Sequence, residues 1–398
     1  MENFLSHKLQ GLSESQTLAM NQKTKDLQAQ GLDIVNLTAG EPDFFTPDHI
    51  KTAAKNAVDK NCSFYTPVDG YMDLRKAIAD KLKRENNLDY KPEQISVSNG
   101  AKHSLANVIM SLIDESDEVI IPAPYWVSYS ELVKLAGGKN VILKTDISND
   151  FKMTAEQFEK AITPKTKMLI LCSPSNPTGS VYAKDELKAI ADIVAKHEHI
   201  FVISDEIYEH INFVGKHESI AQFPNVKNKV ILINGVSKAY AMTGYRIGYI
   251  AAPIWITKAC SKLQGQFTSN PSSIAQRAAY AALTEDNAPT KEMVIAFKRR
   301  RDLVMGLLKQ MPGVKCNNPG GAFYVFPDIS SFFGKSDGET IIKNDMDMCL
   351  YLLDKALVSS VPGDAFGEPT CIRMSYATSD ENLEKAMKSV KEALAKLK

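Results

Sequence analysis

A lysine lies within a run of small and apolar residues, in the segment NGVSKAYAMTGYRIGY at 234–249. Ser237 precedes this residue, Lys238, and Arg246 follows it eight positions later. A buried lysine is costly unless it is paired or neutral. Lys238 is therefore either a surface residue or a nucleophile whose amine takes part in chemistry.

Four further polar segments follow short apolar runs in the same way. SPSNPTG follows KMLILC, DEIYEH follows FVIS, NGAKHS follows QISVS, and APYWVSY follows DEVIIP. Ligands of open α/β sheets bind at the carboxyl ends of the strands. Each segment alone could be an ordinary polar loop, but the five together favour a site at one edge of a sheet.

The apolar runs predict the elements that would position these segments. They lack alternation and are separated by helical patterns such as 184–196, which indicates a mostly parallel sheet buried on both faces. From about residue 290, a long helix, short strands and a final helix from Asp380 predict a smaller α+β unit. We therefore predict an α/β fold with a large domain at 47–289 and a small domain formed by 1–46 and 290–398.

The amino-terminal part also carries helix signals. Residues 8–30 have the pattern of one polar helix that ends at Gly31. Thr46 is predicted to cap the next helix, with Pro47 in its first turn.

Composition excludes several classes of protein. The 398 residues contain 47 Lys plus Arg and 47 Asp plus Glu, so net charge provides no general attraction for nucleic acid or anionic membranes. No apolar stretch approaches the ~20 residues of a membrane helix, and a signal-peptide pattern is absent from the start. Six scattered cysteines without a CxxC pair favour reduced thiols. We expect a cytoplasmic protein.

No metal site is predicted, because the histidines lack metal-ligand spacing. Solvent-facing or capping roles are expected for them instead. These histidines are His103, His197, His199 and His210. The glycine signatures of dinucleotide and nucleoside-triphosphate sites are absent as well.

The candidate residues match the needs of a pyridoxal 5′-phosphate (PLP) site. Such a site needs a lysine that forms a Schiff base and moves a proton, and a carboxylate that keeps the pyridine nitrogen protonated. A phenol and an amide suit the ring oxygen. Helix N–H groups, a hydroxyl and an arginine suit the phosphate, and a second arginine suits the substrate carboxylate. The candidates, in that order, are Lys238, Asp205, Tyr208 and Asn176, Ser237 and Arg246, and Arg373.

The sequence resembles a class I aminotransferase of fold type I, in the bacterial aspartate (aspartate/prephenate) aminotransferase branch. SNPTG or DEIY alone would be only suggestive, but the full set is specific and spans nearly the whole chain. The matching segments are LTAGEPDF, FYTPVDGYMDLRKAI, PYWVSY, SPSNPTG, SDEIYEH, SKAYAMTGYRIGY, GGAFYVF and IRMSYATS. The resemblance implies the PLP-dependent transferase fold and a homodimer with shared active sites.

The resemblance also implies roles for the matching residues. The catalytic residues are Lys238, Asp205 and Tyr208. The cofactor contacts are Ala101, Lys102, Trp126, Asn176, Asp205, Tyr208, Ser237, Lys238 and Arg246, with Tyr65 reaching the neighbouring subunit's phosphate. The substrate contacts are Thr17, Gly40, Lys102, Trp126, Asn176 and Arg373. Lys102 is implied to meet the distal carboxylate of aspartate or glutamate, and Ser15 and Thr17 belong to a segment that closes over substrate.

These implications predict transfer of the amino group of L-aspartate to 2-oxoglutarate by a ping-pong route. Prephenate is a compatible further acceptor, giving arogenate. Alternatives are a transaminase for alanine or aromatic amino acids, a β-elimination lyase, and a non-enzymatic regulator, which would need a DNA-binding module.

Ordinary structural roles also stay open for several residues. Asp205 could cap a helix, and Arg373 could pair with a carboxylate. Trp126 and Tyr65 could serve packing alone, and Lys102 could only add to the positive charge around the phosphate.

Overall fold

The structure is a computed structural model that describes residues 5–13 and 16–398. The strands are β1 (Val35–Asn36), β2 (Ile95–Ser98), β3 (Glu118–Ala123), β4 (Lys139–Lys144), β5 (Thr166–Cys172), β6 (Phe201–Asp205), β7 (Val230–Gly235), β8 (Gly248–Ala251), β9 (Tyr324–Val325), β10 (Val358–Ser359), β11 (Val361–Pro362) and β12 (Ile372–Ser375). The helices are α1 (His7–Gln10), α2 (Gln16–Ala29), α3 (Asp48–Asp59), α4 (Met72–Asn86), α5 (Ala101–Leu112), α6 (Ser128–Ala136), α7 (Ala155–Ala161), α8 (Lys184–Ala195), α9 (Ile254–Phe267), α10 (Ser273–Thr284), α11 (Ala288–Leu308), α12 (Asp345–Lys355) and α13 (Asp380–Leu394).

The central sheet has the strand order β2-β8-β7-β6-β5-β3-β4. β8 runs antiparallel to both of its neighbours, and the other adjacent pairs are parallel. The predicted α/β fold with a mostly parallel sheet is confirmed, and each apolar run identified in the sequence forms a strand.

Both faces of the sheet are buried except at the edge strand β4, which explains the lack of alternation in the inner strands. In β5, Leu169 and Leu171 belong to one apolar core, whereas Met168 and Ile170 belong to the core on the other face. Helices α3, α4, α8 and α10 contribute to the first core, and α5, α6 and α9 contribute to the second. Burying each large apolar side chain stabilises the fold by about 1.5–3 kcal/mol.

The carboxy-terminal region builds a smaller unit around the antiparallel order β11-β12-β9. Met20 and Leu37 from the amino-terminal segment share one core with Phe297 of α11. β1 also pairs in parallel with β10, with Val35 opposite Val358. The division into domains at 47 and 290 stays a prediction.

The amino-terminal helix predictions are partly wrong. Residues 8–30 form two helices, α1 and α2, because α1 already ends at Gln10. Beyond that end, the Ser13 amide donates to Glu131 at 2.8 Å. Pro47 occupies the N-cap position of α3, while the Thr46 hydroxyl donates to the distant carbonyl of Ala241 at 2.7 Å. A tertiary hydrogen bond therefore replaces the predicted cap.

A buried lysine on α4 joins that helix to the segment after β6. Lys81 is fully buried, and its ammonium donates hydrogen bonds to Glu209 and, at 3.0 Å, to Asn86. The ammonium also lies 3.4 Å from the Glu85 carboxylate. His210 bonds Glu85 at 2.9 Å, so the expected solvent-facing or capping role of His210 is wrong. Ligand atoms of Glu85, Glu209 and His210 lie within 4.8 Å of one another, and Lys81 already supplies a cation there.

Lys81→Met tests this buried pair. Removing one partner of a buried ion pair costs about 3–5 kcal/mol because the other charge stays enclosed. We expect the free energy of unfolding, measured by urea denaturation and circular dichroism, to fall by about that amount. Lys76→Met is the matched control on the same helix, since Lys76 pairs with Asp80 at the surface. Equal effects of the two substitutions would contradict the assignment.

Candidate active site

The predicted polar segments meet at one edge of the central sheet. Asp205 ends β6 and lies opposite Cys172 of β5 and Ile233 of β7. The segment that contains Lys238 follows β7. Because β8 is antiparallel, its first residue, Gly248, lies at the same edge, opposite Gly235. The topology thus brings segments that are distant in sequence to one place.

Asp205 is a buried carboxylate, with 4% of the residue exposed. Its Oδ2 accepts a hydrogen bond from the Tyr129 hydroxyl at 2.6 Å, and its Oδ1 accepts one from the Ile207 amide at 3.2 Å. Burial raises the pKa of Asp205 to about 6, and these two hydrogen bonds oppose the rise. No helix begins at Asp205, and it forms no ion pair within the described ranges.

Lys238 faces the same space, with its Nζ donating to the Gly40 carbonyl at 2.5 Å. This Nζ also lies 5.9 Å from the ring centre of Tyr208. Burial lowers the pKa of Lys238 to about 8; the charge of Glu41 opposes this fall and that of Arg373 adds to it. The amine is therefore closer to neutrality at physiological pH than an ordinary lysine.

The guanidinium of Arg246 lies beside the amino terminus of α5. Gly100 precedes the helix with φ +86°, and a Cβ there would lie 2.3 Å from Nη2 of Arg246. Arg246 also donates to the Thr243 carbonyl at 2.9 Å. The first N–H groups of a helix lack intrahelical partners and favour anions. With Ala101 in this first turn and the buried hydroxyl residue Ser237 nearby in the β7–β8 connection, the chemistry suits a phosphate.

Arg373 is a buried guanidinium on β12, with 2% of the residue exposed. Its Nη1 donates to Asn176 at 3.1 Å and its Nη2 donates to the Thr38 carbonyl at 2.8 Å. The guanidinium lies 4.5 Å from the ring centre of Tyr324. Burial lowers the pKa of Arg373, and its Nε has no hydrogen-bond partner in the described part of the chain. It pairs with no carboxylate there.

Tyr324 is a site residue that the sequence reading missed. Its hydroxyl lies 2.8 Å from that of Tyr208, and its ring packs against Arg373. Its sequence pattern contains one hint of a site role, a hydroxyl within the apolar segment GGAFYVF. That segment was matched to the family as a whole, and no role was predicted for Tyr324.

Trp126 and Lys102 form the more open side of the site. The Lys102 ammonium lies 4.9 Å from the ring centre of Trp126, which is half-buried and packs edge-on against Tyr129 at 5.5 Å. Burial and the charge of Arg246 lower the pKa of Lys102, although its side chain still reaches solvent.

Tyr65 and Thr17 are candidate residues for which the described part of the chain shows no hydrogen bond or ring contact to this group. Tyr65 is 90% exposed, between α3 and α4. Thr17 lies on α2, and its enclosed hydroxyl has no hydrogen-bond partner among residues 5–13 and 16–398. Ser15 lies outside the described residues.

The sequence profile of the family described as aminotransferase class I and II matches residues 32–390. The chain belongs to this family. It is 48% identical to a bifunctional aspartate aminotransferase and glutamate/aspartate-prephenate aminotransferase of Petunia hybrida, over 99% of this chain and 83% of the relative. It is 47% identical to an aspartate/prephenate aminotransferase of Cereibacter sphaeroides, over 96% of both chains.

Solved structures agree with the family assignment. An aspartate aminotransferase from Rhizobium meliloti superimposes with a TM-score of 0.96 at 41% identity, covering 99% of both chains. An aspartate aminotransferase from Thermus thermophilus with maleate superimposes with a TM-score of 0.93 at 40% identity, covering 98% of this chain and 99% of that chain.

This aminotransferase is a PLP-dependent transaminase, and its residues fit the cofactor. Among the described residues, Asp205 is an enclosed carboxylate without an ion-pair partner, which suits a protonated pyridine nitrogen. Gly100 leaves room for Arg246 at the helix terminus, as a phosphate site requires. Lys238 supplies an enclosed amine whose pKa is lowered to about 8.

Gly100→Ala tests the phosphate pocket. The added Cβ would displace Arg246 and strain a backbone with positive φ. A hydrogen bond to a charged group contributes about 1.5–3 kcal/mol, so we expect PLP affinity to fall by roughly 10- to 100-fold. Fluorescence titration of the apoprotein measures this affinity. Gly306→Ala on α11, where a Cβ would meet no atom within 4 Å, should leave it unchanged; unchanged affinity in both variants would argue against the pocket.

Proposed function

We propose that this aminotransferase moves the amino group of L-aspartate to 2-oxoglutarate, giving oxaloacetate and L-glutamate by a ping-pong route. One observation carries the proposal: Arg373 and Lys102 are two cations at the site that lack a carboxylate partner in the described residues. A dicarboxylic substrate would satisfy both.

Arg373 is the binder of the α-carboxylate. A guanidinium can bind a carboxylate through two parallel hydrogen bonds. The hydrogen bonds to Asn176 and Thr38 hold the group in place, and its unpartnered Nε leaves a donor for the ligand.

Lys102 is the binder of the distal carboxylate. Its ammonium is a compact charge on a flexible stem, so it can follow carboxylates of four- and five-carbon substrates. The position of its ammonium near the Trp126 ring supports this role. The names of the relatives, and the dicarboxylate maleate in the Thermus thermophilus structure, also support it.

The chain's own groups supply proton transfer and charge balance. Bound PLP supplies a carrier for the amino group and an acceptor for the electrons of the substrate Cα–H bond. Lys238 Nζ would hold the cofactor through its aldehyde, and the freed amine would accept the substrate Cα proton and donate it to the cofactor carbon that receives the amino group. The Asp205 carboxylate would pair with the cofactor's ring nitrogen, and the Tyr208 hydroxyl and the Asn176 amide would hold the ring oxygen.

Spectroscopy tests this function most directly. We expect the visible absorption of the PLP-loaded protein to change to the pyridoxamine spectrum when L-aspartate is added without a keto acid. A change only with alanine or aromatic amino acids would favour those alternative substrates. Prephenate should be tested in the same assay as an amino-group acceptor, because these relatives are named as prephenate aminotransferases.

Lys102→Met tests acidic-substrate recognition. Loss of one charged contact should lower kcat/KM for aspartate by roughly 10- to 100-fold and leave the rate with alanine unchanged. Lys258→Met, at an exposed position of α9, is the control and should behave like the unsubstituted protein. Equal losses for every substrate, together with weaker PLP binding, would instead assign Lys102 to the phosphate.

The proposed enzyme is a cytoplasmic homodimer whose two sites share residues. In the described ranges, the structure has no helix long and apolar enough to cross a membrane. Three aromatic residues just before α3 and between α3 and α4 are strongly exposed, at 93% for Phe45, 79% for Phe64 and 90% for Tyr65. Such exposed apolar surface is typical of interfaces, which supports a second copy covering it.

Mixing two inactive variants tests the shared site. We expect Lys238→Ala and Tyr65→Ala, refolded together, to regain about a quarter of normal activity. About half of the dimers then contain one chain of each variant, and each such dimer has one intact site out of two. A mixture of Lys238→Ala and Lys238→Met is the control and should stay inactive. Without recovery in the first mixture, Tyr65 would serve its own chain or packing alone.

A further inference from the structure

Tyr129 lies beneath the site without a role in the proposal above. It belongs to α6 and is 2% exposed. Its ring packs edge-on against Trp126, with ring centres 5.5 Å apart and planes at 89°. The packing aims the hydroxyl at Asp205 Oδ2, 2.6 Å away, a length typical of a strong hydrogen bond to an ionised oxygen.

The second oxygen of Asp205 has a weaker partner. Oδ1 accepts from the Ile207 amide at 3.2 Å. A buried carboxylate without a cation depends on such donors for its charge. Tyr129 is therefore the closer of the two groups that hold this carboxylate.

We propose that Tyr129 is a positioning residue of the transamination site, which keeps the Asp205 carboxylate anionic and oriented towards the ring nitrogen of the cofactor. The inference rests on the proposed role of Asp205. It assigns a function to the last residue of the segment PYWVSY, where the sequence reading singled out only Trp126.

The surrounding charges give the sign of the effect. Burial raises the pKa of Asp205 to about 6, and the Tyr129 hydrogen bond is the largest of the opposing effects. Glu206 adds to the rise and the charge of Lys238 opposes it. Burial and the charge of Asp205 raise the pKa of the Cys172 thiol to about 12 and raise the pKa of the Tyr129 phenol well above its ordinary value, so both stay protonated at neutral pH.

Tyr129→Phe removes the hydroxyl and keeps the ring. Asp205 should then take up a proton at a higher pH, by about one to two pH units, given the usual strength of a hydrogen bond to a charged group. The readout is the PLP affinity of the apoprotein as a function of pH. We expect affinity to decline below about pH 6 in the unsubstituted protein, and below a correspondingly higher pH in the variant. Titration of PLP itself and of Lys238 is common to both proteins and cancels in the ratio of affinities.

Tyr182→Phe is the matched control. Tyr182 is also a buried tyrosine, with 6% exposed, and its hydroxyl accepts the Met153 amide at 2.8 Å. Tyr182 lines the same small cavity as Tyr129 and Cys172, but its hydroxyl does not bond Asp205. The variant therefore loses a buried hydrogen bond that the carboxylate does not receive, and its pH profile should not move. Thermal unfolding of both apoproteins compares their stability.

Two outcomes would overturn the inference. One is a Tyr129→Phe profile with equal weakening at every pH, which indicates a packing role only. The other is a pH profile of PLP affinity that does not change when 3-fluorotyrosine, a stronger hydrogen-bond donor, replaces Tyr129. We expect that replacement to shift the profile to lower pH. The substituted tyrosine keeps the hydroxyl and so gives a result even if Tyr129→Phe does not fold.

Asp205→Asn separates this inference from the proposed function. If Asp205→Asn leaves PLP affinity and transamination intact, the role of Asp205 itself is wrong. If Asp205→Asn disables the enzyme while Tyr129→Phe leaves the pH profile unmoved, only the inference about Tyr129 fails. In the Asp205→Asn background, adding Tyr129→Phe should produce no pH shift.

Discussion

The candidate active site is governed by the cost of enclosing charges that have no ion-pair partner among the described residues. Asp205, Lys238 and Arg373 are all in this state, and each unpaired buried ion costs several kcal/mol. Neutral groups offset part of the cost: the Tyr129 hydroxyl for the carboxylate, and the Gly40 carbonyl for the ammonium. The part of the cost that is not offset raises the pKa of Asp205 and lowers the pKa values of Lys238 and Arg373. Under the proposed roles the ligands would complete these charges, so binding and catalysis would use the same uncompensated groups.

The strand order makes this concentration of charge attainable. Parallel strands place the segments after β5, β6 and β7 at one edge, and the single antiparallel strand β8 brings the start of its own segment there too. Gly100 follows β2, the edge strand next to β8. Arg246 fits against this residue only because glycine has no side chain. The apolar cores on both faces fix these loop ends without using any of their polar groups.

Much of the fold and site could be predicted from the sequence because short segments carry the signal. Lys238 and Arg373 each lie within a contiguous motif, and each strand of the central sheet coincides with a short run rich in apolar residues. Contacts between distant segments gave no such signal. Tyr129 and Asp205 are 76 positions apart, and Lys81 and its glutamate are 128 apart. Nothing in either local pattern says which distant group each side chain will face. The helix boundaries near the amino terminus failed for the same reason, since tertiary hydrogen bonds replaced the local caps.

The pairing of β1 with β10 has a consequence for biosynthesis. Asn36 bonds Ser359, which follows 323 positions later in the chain. Because ribosomes add about 5–20 residues per second, the amino-terminal segment emerges roughly 15–65 s before its partner strand exists. During that interval Val35 and Leu37, both buried in the finished core, lack the strand that pairs with their segment. The amino-terminal segment therefore completes its native environment only when translation is nearly finished.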